Sequence, residues 1–278
     1  MSTASKLVSA RSFLFVPANR PERFAKALDS GADAVILDLE DSVPLVAKAQ
    51  ARAAIRQSWP QLQQAACAVV IRINSPDTEW GQQDLVDLHG LPGLAGLMVP
   101  KCESAQSLRD VAQAFAGIPS LPIIESAAGY LSLGEIAQAP QVCRLVVGHI
   151  DFLADTGMVC SPDQRELDGL RFEVAMHTRR SNLAPAVDGV TVSVDDELLI
   201  RADTERALRF GFGAKLCIHP KQVPVVHQTF APTPSQIDWA QRVLAAMAAS
   251  QGSAVQLDGK MVDLPVVLQA QRLLARVR

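Results

Sequence analysis

The sequence predicts an α/β protein of the (β/α)8 barrel type, in which eight parallel strands close into a cylinder surrounded by helices. Short apolar runs rich in β-branched residues recur eight times, and each is followed by a helical pattern of polar and apolar residues. Their first residues lie about 29 residues apart on average, the size of one strand–helix unit. The runs are continuous, as in strands buried on both faces. A doubly wound parallel sheet is the alternative that the same alternation allows.

The eight predicted strands cover residues 13–16, 34–39, 68–73, 96–99, 121–124, 145–147, 185–187 and 215–218. Local signals mark the ends of several helices between them. Pro21 follows Asn19 and fits the first turn of a helix, and Ser104 precedes a run of helix-forming residues. Gly31 and Gly211 stand where two helices are expected to end. These signals separate the strands in the order that a barrel requires.

Residues 1–230 account for the eight units, and residues 231–278 form a helical extension of the same domain. The extension begins with the proline-rich stretch Ala-Pro-Thr-Pro at 231–234, continues with a helix over 235–250 and a glycine-containing stretch over 252–263, and ends in a last helix. Because eight units already complete a barrel, these residues are expected to serve another purpose.

Composition excludes several classes of protein. The 278 residues carry 26 basic and 29 acidic side chains, a net charge of -3, which favours neither nucleic acid nor an anionic membrane as partner. The five cysteines are scattered without a C-x-x-C pair, as in reduced thiols rather than a disulfide framework or a zinc site. No signal peptide or membrane-spanning run is visible. We therefore expect a cytoplasmic globular protein.

Polar and charged side chains follow nearly every predicted strand. In order along the chain they are Asn19 and Arg20, Glu40 and Asp41, Arg72 and Asn74, Lys101, Glu125, Asp151, Asp188 and His219. Barrel enzymes place their catalytic residues at the C-terminal ends of the strands. Desolvated charges there cost free energy unless they pair or bind a ligand. The pattern therefore predicts an active site that contains both signs of charge.

Glu125 and Asp151 follow neighbouring strands, so their carboxylates can converge on one cation. Two oxygen ligands with room for water and substrate are typical of Mg²⁺ sites. The alternative is that each carboxylate caps a helix or pairs with an arginine.

Arg72 stands in an otherwise apolar strand. Its guanidinium there suits a carboxylate or an enolate oxygen, and Glu40 or Asp41 could hold it in place. Its alternative role is an internal ion pair without chemistry.

Other signals are less specific. The first unit contains a basic stretch formed by Arg11, Arg20, Arg23 and Lys26, in which Arg20 and Lys26 are the candidate ligands for cofactor phosphates; a solvated helix face is the alternative. Lys101, His149 and His219 each fit either a loop hydrogen bond or a ligand contact.

Nine short motifs resemble, in order and spacing, the citrate lyase beta-subunit-like (CitE-like) family of the HpcH/HpaI aldolase superfamily. They are RSFLFVP at 11–17, RPER at 20–23, GADAVILDLED at 31–41, RIN at 72–74, VPK at 99–101, IES at 124–126, GFGAK at 211–215, CIHP at 217–220 and DGKMVD at 258–263. The resemblance implies a (β/α)8 barrel, a homotrimer or hexamer, Mg²⁺ as cofactor, and cleavage or formation of a C–C bond next to a thioester of CoA or acyl-carrier protein.

By position, the resemblance also implies roles for five residues. Glu125 and Asp151 match the metal ligands, Arg72 the arginine that grips substrate or enolate oxygen, and Glu40 the acid that supports this arginine. Asp263 matches an acid/base for proton transfer on a C-terminal segment that closes over a neighbouring subunit; a helix cap is its alternative role.

Two positions depart from the family pattern. Ala18 stands where glycine is common, which restricts how closely the backbone can approach a ligand. His149 precedes the metal-binding position where small residues are usual, so we expect it to change the shape of the pocket.

The expected function is Mg²⁺-dependent cleavage of a 3-hydroxyacyl-CoA of the malyl-CoA or citramalyl-CoA type into an acyl-CoA and a 2-oxo acid. Three alternatives stay open: a citryl-ACP lyase subunit of a citrate lyase complex, an aldolase of free hydroxy-keto acids, and a non-catalytic binding protein.

Overall fold

The computed structural model describes residues 3–250 and 254–277, and it forms the predicted (β/α)8 barrel. Its eight strands are β1 (Ser12–Pro17), β2 (Ala34–Asp38), β3 (Ala68–Arg72), β4 (Gly96–Val99), β5 (Ser120–Ile124), β6 (Val146–Val147), β7 (Val187–Asp188) and β8 (Ala214–Cys217). Each strand pairs in parallel with the next, and β1 pairs with β8 through Phe13 opposite Leu216. This last pairing closes the cylinder, so the doubly wound alternative is wrong.

Every predicted run overlaps a strand, but β6 and β7 have only two residues each. The prediction began β7 at Pro185, which the structure leaves outside the strand. The physical reason is local: proline has no backbone N–H, and the Pro185 carbonyl accepts a hydrogen bond from Arg144 Nε at 2.7 Å. The backbone at Pro185 therefore has no free groups for a strand ladder.

Helices surround the barrel. They are α1 (Thr3–Ser9), α2 (Phe24–Leu28), α3 (Lys48–Leu62), α4 (Glu79–Asp87), α5 (Ala105–Ala114), α6 (Ala127–Leu131), α7 (Leu133–Ile136), α8 (His149–Thr156), α9 (Asp168–Arg180), α10 (Glu197–Arg209) and α11 (Gln222–Phe230). Ser104 caps α5 by accepting from Ser107 N–H, and Gly31 and Gly211 have φ of 78° and 84° after α2 and α10. Pro21 opens a short 3-10 helix that precedes α2.

The barrel core consists of side chains that alternate along the strands and point inward, among them Phe13, Ile36 and Val70, all fully buried. At the N-terminal end of the barrel, Arg144 is 1% exposed and donates from Nη1 to Ala10 O at 2.7 Å. It also lies over the Phe13 ring, 5.4 Å from the centroid. Arg144 thus joins the barrel to α1 and the residue after it through hydrogen bonds to the carbonyls of Leu7 and Ala10.

The chain divides into two compact units, Met1–Val226 and His227–Arg278, with the division inside α11. The second unit contains α12 (Pro234–Ala249), a hairpin of β9 (Val255–Leu257) and β10 (Lys260–Val262), and α13 (Leu264–Leu274). It has its own apolar cluster, which includes Val243, Val262 and Ala270. The start of the predicted stretch 252–263 lies outside the described residues. Closure of this segment over a neighbouring subunit stays a prediction.

None of the helices in residues 3–250 and 254–277 combines the length and the apolar composition that crossing a bilayer requires.

Candidate active site

A cavity of about 370 Å³ opens at the C-terminal end of the barrel, where residues that end or follow the strands surround it. Its charged lining consists of Asp38, Asp41, Arg72, Glu125 and Asp151. Three residues that the sequence predicted for the site, Arg72, Glu125 and Asp151, therefore face one space. Glu40 lies next to the cavity and contacts Arg72.

Arg72 ends β3 and lies opposite Asp38 of β2 in the strand register. Its guanidinium makes a two-pronged interaction with this carboxylate, Nε to Oδ1 at 2.6 Å and Nη2 to Oδ2 at 2.7 Å. Nη1 forms an ion pair with Glu40 Oε2 at 2.7 Å and lies 3.6 Å from Asp41 Oδ2. The guanidinium also covers the Phe15 ring at 4.9 Å. These contacts fix both the position and the plane of the guanidinium.

The structure adds a partner to the predicted support of Arg72. Glu40 or Asp41 was expected to hold it: Glu40 pairs with it at 2.7 Å, Asp41 is the most distant of the three carboxylates, and Asp38 is the partner with two hydrogen bonds. Asp38 is 1% exposed; burial alone would raise the pKa of its carboxyl, but Arg72 outweighs that effect and holds the pKa below its usual value. The sequence did contain the signal, because Asp38 is the one charged residue in the apolar run 34–39.

Lys101 links the two acidic parts of the site. Its ammonium contacts Glu40 Oε1 and lies 3.5 Å from Asp41 Oδ1, while its backbone N–H donates to Glu125 Oε1 at 2.6 Å. The residue has φ of 47°, a left-handed conformation that is uncommon outside glycine and is found at functional sites. The backbone N–H of Lys101 therefore orients the Glu125 carboxylate, and its ammonium neutralises the charge of the Glu40 carboxylate.

Glu125 is 4% exposed and follows β5 directly. Burial, together with the charges of Glu40 and Asp151, raises the pKa of its carboxyl to about 8 against the opposing effect of the Lys101 N–H. The other oxygen, Oε2, lies against Gly148, where any Cβ would overlap it. Glycine at 148 is therefore required for Glu125 to occupy this position.

Asp151 was predicted at the exit of the sixth strand, but β6 ends at Val147 and Asp151 lies in the first turn of α8. It is half-buried, lines the cavity and interacts electrostatically with Glu125. Within the described part of the chain, no cluster of three His, Cys, Asp or Glu residues is arranged to hold a metal. Two carboxylates that face one cavity, those of Glu125 and Asp151, suit a hard divalent cation that keeps water or substrate oxygens as its remaining ligands.

His149 begins α8 and is buried, and desolvation lowers the pKa of its imidazole to about 4. Its Nδ1 lies against Gly189 and accepts no hydrogen bond within the described residues. Asp188, predicted among the strand-exit charges, instead forms a buried ion pair with Arg171 at 3.3 Å and lies 3.7 Å from Lys215. Asp188 therefore interacts electrostatically with the buried His149 and does not line the cavity.

Gly189→Ala should destabilise the protein by about 1–3 kcal/mol, since the new methyl would overlap His149 Nδ1. His149→Ser in the same chain should recover most of this loss, because it removes the imidazole. Urea unfolding of the single and double variants measures both effects. Gly169→Ala is the matched control, since a methyl there meets no atom within 4 Å. A double variant as unstable as Gly189→Ala would contradict the proposed contact.

Arg20 and Lys26 do not line this cavity. Arg20 is exposed and pairs with Glu22 at 2.6 Å, and Lys26 is exposed on α2. Asp263 belongs to the second unit, where it caps α13 by accepting from Val266 N–H at 3.4 Å. Ala18 is buried and donates its N–H to Asp38 O at 2.9 Å. The roles proposed for Arg20, Lys26 and Asp263 stay predictions.

A closed parallel barrel with carboxylates, an arginine and a lysine at the C-terminal ends of its strands defines a barrel enzyme with a mixed-charge site. A family described as HpcH/HpaI aldolase/citrate lyase matches residues 11–220. The chain belongs to this family and is an enzyme of the lyase class.

Similar proteins agree with this membership over nearly the whole chain. A citrate lyase subunit beta-like protein of Deinococcus radiodurans is 37% identical over 276 residues, covering 95% of this chain and 96% of its own length. A (3S)-malyl-CoA thioesterase of Cereibacter sphaeroides is 32% identical over 270 residues, covering 96% and 94%. A crystal structure of CitE from Mycobacterium tuberculosis with magnesium, acetoacetate and coenzyme A has a TM-score of 0.84 and 34% identity, covering 97% and 98%.

Proposed function

We propose that this protein is a Mg²⁺-dependent carbon–carbon lyase that cleaves a 3-hydroxyacyl-CoA of the malyl-CoA or citramalyl-CoA type into an acyl-CoA and a 2-oxo acid. The observation that carries the proposal is the shared cavity of Glu125, Asp151 and Arg72. Two comparisons support it: relatives named for malyl-CoA, and a similar structure that contains magnesium together with coenzyme A.

Glu125 and Asp151 would hold the metal. A divalent cation, when bound, polarises a carbonyl and neutralises developing negative charge. The raised pKa of Glu125 fits this assignment, because a buried carboxylate beside other carboxylates gains most from a cation. Asp151 is half-buried and lines the cavity, where a 2-oxo acid would bind beside it.

Arg72 would stabilise the enolate. Nε–H and one N–H of Nη2 donate to Asp38, and Nη1 forms an ion pair with Glu40, so N–H groups of the guanidinium remain for a substrate oxygen. In the cleavage direction a base takes the hydroxyl proton, the C–C bond breaks, and its electron pair passes to the thioester as an enolate. A guanidinium already fixed by two carboxylates stabilises this charge without reorganising.

The test of the function is a panel of malyl-, citramalyl- and methylmalyl-CoA, with Mg²⁺ and with chelator. Lyase activity releases acyl-CoA and 2-oxo acid in equal amounts. Release of free CoA with the intact hydroxy acid would indicate a thioesterase instead. Turnover of citryl-ACP alone, or of hydroxy-keto acids without a thioester, would favour the other two lyase alternatives. If the protein turns over none of these compounds, the proposal is contradicted.

Proton transfer to the enolate is assigned to Asp263, supplied by the C-terminal extension of a neighbouring subunit in a homotrimer or hexamer. Asp263→Asn should slow turnover by roughly 10²–10⁴-fold, because the acid is lost. Mg²⁺ affinity and stability should not change, since asparagine also caps helices well. Turnover, calorimetry with Mg²⁺ and thermal unfolding check these three expectations.

Asp263→Ala separates the two roles of this residue. It removes the acid and the cap together, so it should lose about 1 kcal/mol of stability in addition to activity. Full activity in Asp263→Asn, or loss of metal binding in that variant, would contradict the assignment.

A further inference from the structure

We propose that His149 binds the carboxylate of the 2-oxo acid through its Nε2–H group and so determines how tightly the site holds this substrate. The inference rests on the proposed function and adds a substrate-binding residue to it. It is carried by an imidazole that lines the cavity, two residues before Asp151, without a hydrogen bond to the protein.

The imidazole of His149 is buried at the start of α8 and lines the cavity. Its Nδ1 is enclosed next to Gly189 and has no hydrogen-bond partner among the described residues. None of those residues bonds to Nε2 either, but Nε2 is not enclosed, so a ligand in the cavity can reach it. Buried polar groups in native proteins are almost always paired. The imidazole therefore has the features of a ligand-binding group.

The surroundings of His149 explain why the protein leaves it without a partner. Asp188 is the acid whose charge acts on it most strongly, but this carboxylate pairs with Arg171 at 3.3 Å and lies 3.7 Å from Lys215. Glycine at 189 provides the space for the ring, since a Cβ there would overlap Nδ1 and Cε1. The fold thus accommodates an imidazole at this position without giving it a hydrogen bond.

The hydrogen of the imidazole belongs on Nε2. A neutral imidazole carries one N–H, and at Nδ1 this group would be enclosed without an acceptor, which costs free energy. At Nε2 it can reach a ligand in the cavity, and a protonated ring carries an N–H there as well. Nε2 is therefore a donor in either charge state, so its role does not depend on titration of the ring.

The distribution of donors around the cavity indicates which group His149 binds. When the carboxyls are ionised, three lining side chains can donate: Ser42, Arg72 and His149. Ser42 follows β2, which lies across the barrel from β5 and β6, and Arg72 is assigned to the enolate oxygen. On the side formed by β6, β7 and β8, the other lining side chains are apolar apart from Asp151, as at Val190. His149 is therefore the side-chain donor on the side where Asp151 would hold the metal.

The carboxylate of a 2-oxo acid is the group that needs such a donor. It offers about four lone pairs, more than one cation takes up. A hydrogen bond from a neutral donor to a carboxylate is also stronger than one to an uncharged oxygen. We therefore expect the loss of the His149 N–H to weaken binding of the oxo acid and to leave the metal and the acyl-CoA unaffected.

His149→Leu tests the inference, because it fills the space of the ring and removes its N–H. Pyruvate and glyoxylate are titrated in a calorimeter into the full-length protein with saturating Mg²⁺. Their affinity should fall roughly 10–100-fold, as expected when a hydrogen bond to a charged group is lost. Mg²⁺ affinity without the acid should not change. In the condensation direction, the KM for the oxo acid should rise by the same factor and the KM for acetyl-CoA should not.

Two further variants and one control separate the hydrogen bond from the shape of the side chain. His149→Gln places an amide N–H where Nε2 lies and should recover most of the affinity. His149→Ser removes the ring, and added imidazole should restore part of the affinity; this arm also serves if the leucine variant does not fold. The matched control is His177→Leu. Nδ1 of His177 likewise has no partner among the described residues, but it belongs to α9 and does not line the cavity.

The outcomes distinguish this inference from the function on which it rests. Wild-type affinity for the oxo acids in His149→Leu overturns the inference and leaves the proposed function standing. So does a loss of Mg²⁺ affinity in that variant, since His149 would then act only by placing Asp151, and so does an equal loss in the leucine and glutamine variants. If the wild-type protein binds neither acid in the presence of Mg²⁺, both the inference and the proposed function fail.

Discussion

Glu125→Gln should abolish Mg²⁺-dependent cleavage and weaken Mg²⁺ binding by more than about 100-fold, because loss of a residue that only supports a metal ligand already costs roughly 10–100-fold. The amide keeps the shape of the side chain and can still accept from Lys101 N–H, so the fold should be retained. Calorimetry with Mg²⁺ and turnover of the best thioester measure the two effects. Glu205→Gln, at an exposed position of α10, is the control. Full turnover in Glu125→Gln would exclude this residue as a metal ligand.

The pH dependence of metal binding provides a second measurement on the same residue. Since burial raises the pKa of Glu125 to about 8, its carboxyl is mostly protonated at pH 7 when no cation is bound. Mg²⁺ binds the ionised form, so the affinity of the wild-type protein should increase as pH rises and level off above about 8. Glu125→Gln has no proton to release at this position, so its residual affinity should lack this increase. A wild-type affinity that is constant between pH 6 and 8 would contradict the raised pKa.

The barrel could be predicted from the sequence because its strands are buried on both faces. Residues such as Ile36 and Val70 stand in continuous apolar runs, and the spacing of these runs reflects one strand and one helix. The runs are less informative at β6 and β7, where the strands have two residues each. There the side chain of Arg144 donates a hydrogen bond to the Pro185 carbonyl, so strand pairing of β7 begins only after Pro185. This contact joins residues that lie 41 positions apart in the chain.

The C-terminal hairpin is the element that the sequence analysis missed. Its strands β9 and β10 have three residues each and are largely half-buried or exposed, so they lack an apolar run. A signal was present in the pair Asp258 and Gly259, which has φ of 50° and 75° in the turn. This dipeptide is a common connection in tight hairpins.

The site was predictable where a charged residue follows an apolar run, as at Arg72 and Glu125. Asp151 and Asp188 show the limit of this rule: both acids were predicted at the ends of short apolar runs, but Asp188 ends β7 and Asp151 lies in the first turn of α8. The structure places Asp151 on the cavity and Asp188 in an ion pair with Arg171, which comes from α9. The choice depends on which distant cation packs against each acid, and a single sequence does not contain that information.

Arg72→Met should destabilise the protein by about 3–5 kcal/mol, because it leaves a buried charge without its partner. Asp38 is 1% exposed and Glu40 is 5% exposed, and among the described residues Glu40 also has an ion pair with Lys101. Urea unfolding at pH 7 measures the loss. Arg109→Met is the control, since Arg109 is exposed and bonds only to Gln106 among the described residues. Asp38→Asn added to Arg72→Met should recover part of the stability by removing the unpaired charge.

The pH dependence and the conservative variant separate the stability of this network from its chemistry. Arg72 lowers the pKa of Asp38, so the stability from this pair is present above the unfolded pKa and is lost as pH falls through the folded value. The difference in free energy of unfolding between wild type and Arg72→Met should therefore become smaller as pH falls.

Arg72→Lys keeps the charge and should lose less stability. Its turnover should nevertheless fall as in the methionine variant, because an ammonium cannot hold two carboxylates and an enolate oxygen in one plane. Wild-type turnover in Arg72→Lys would show that charge alone suffices at this position and would remove the guanidinium from the proposed mechanism.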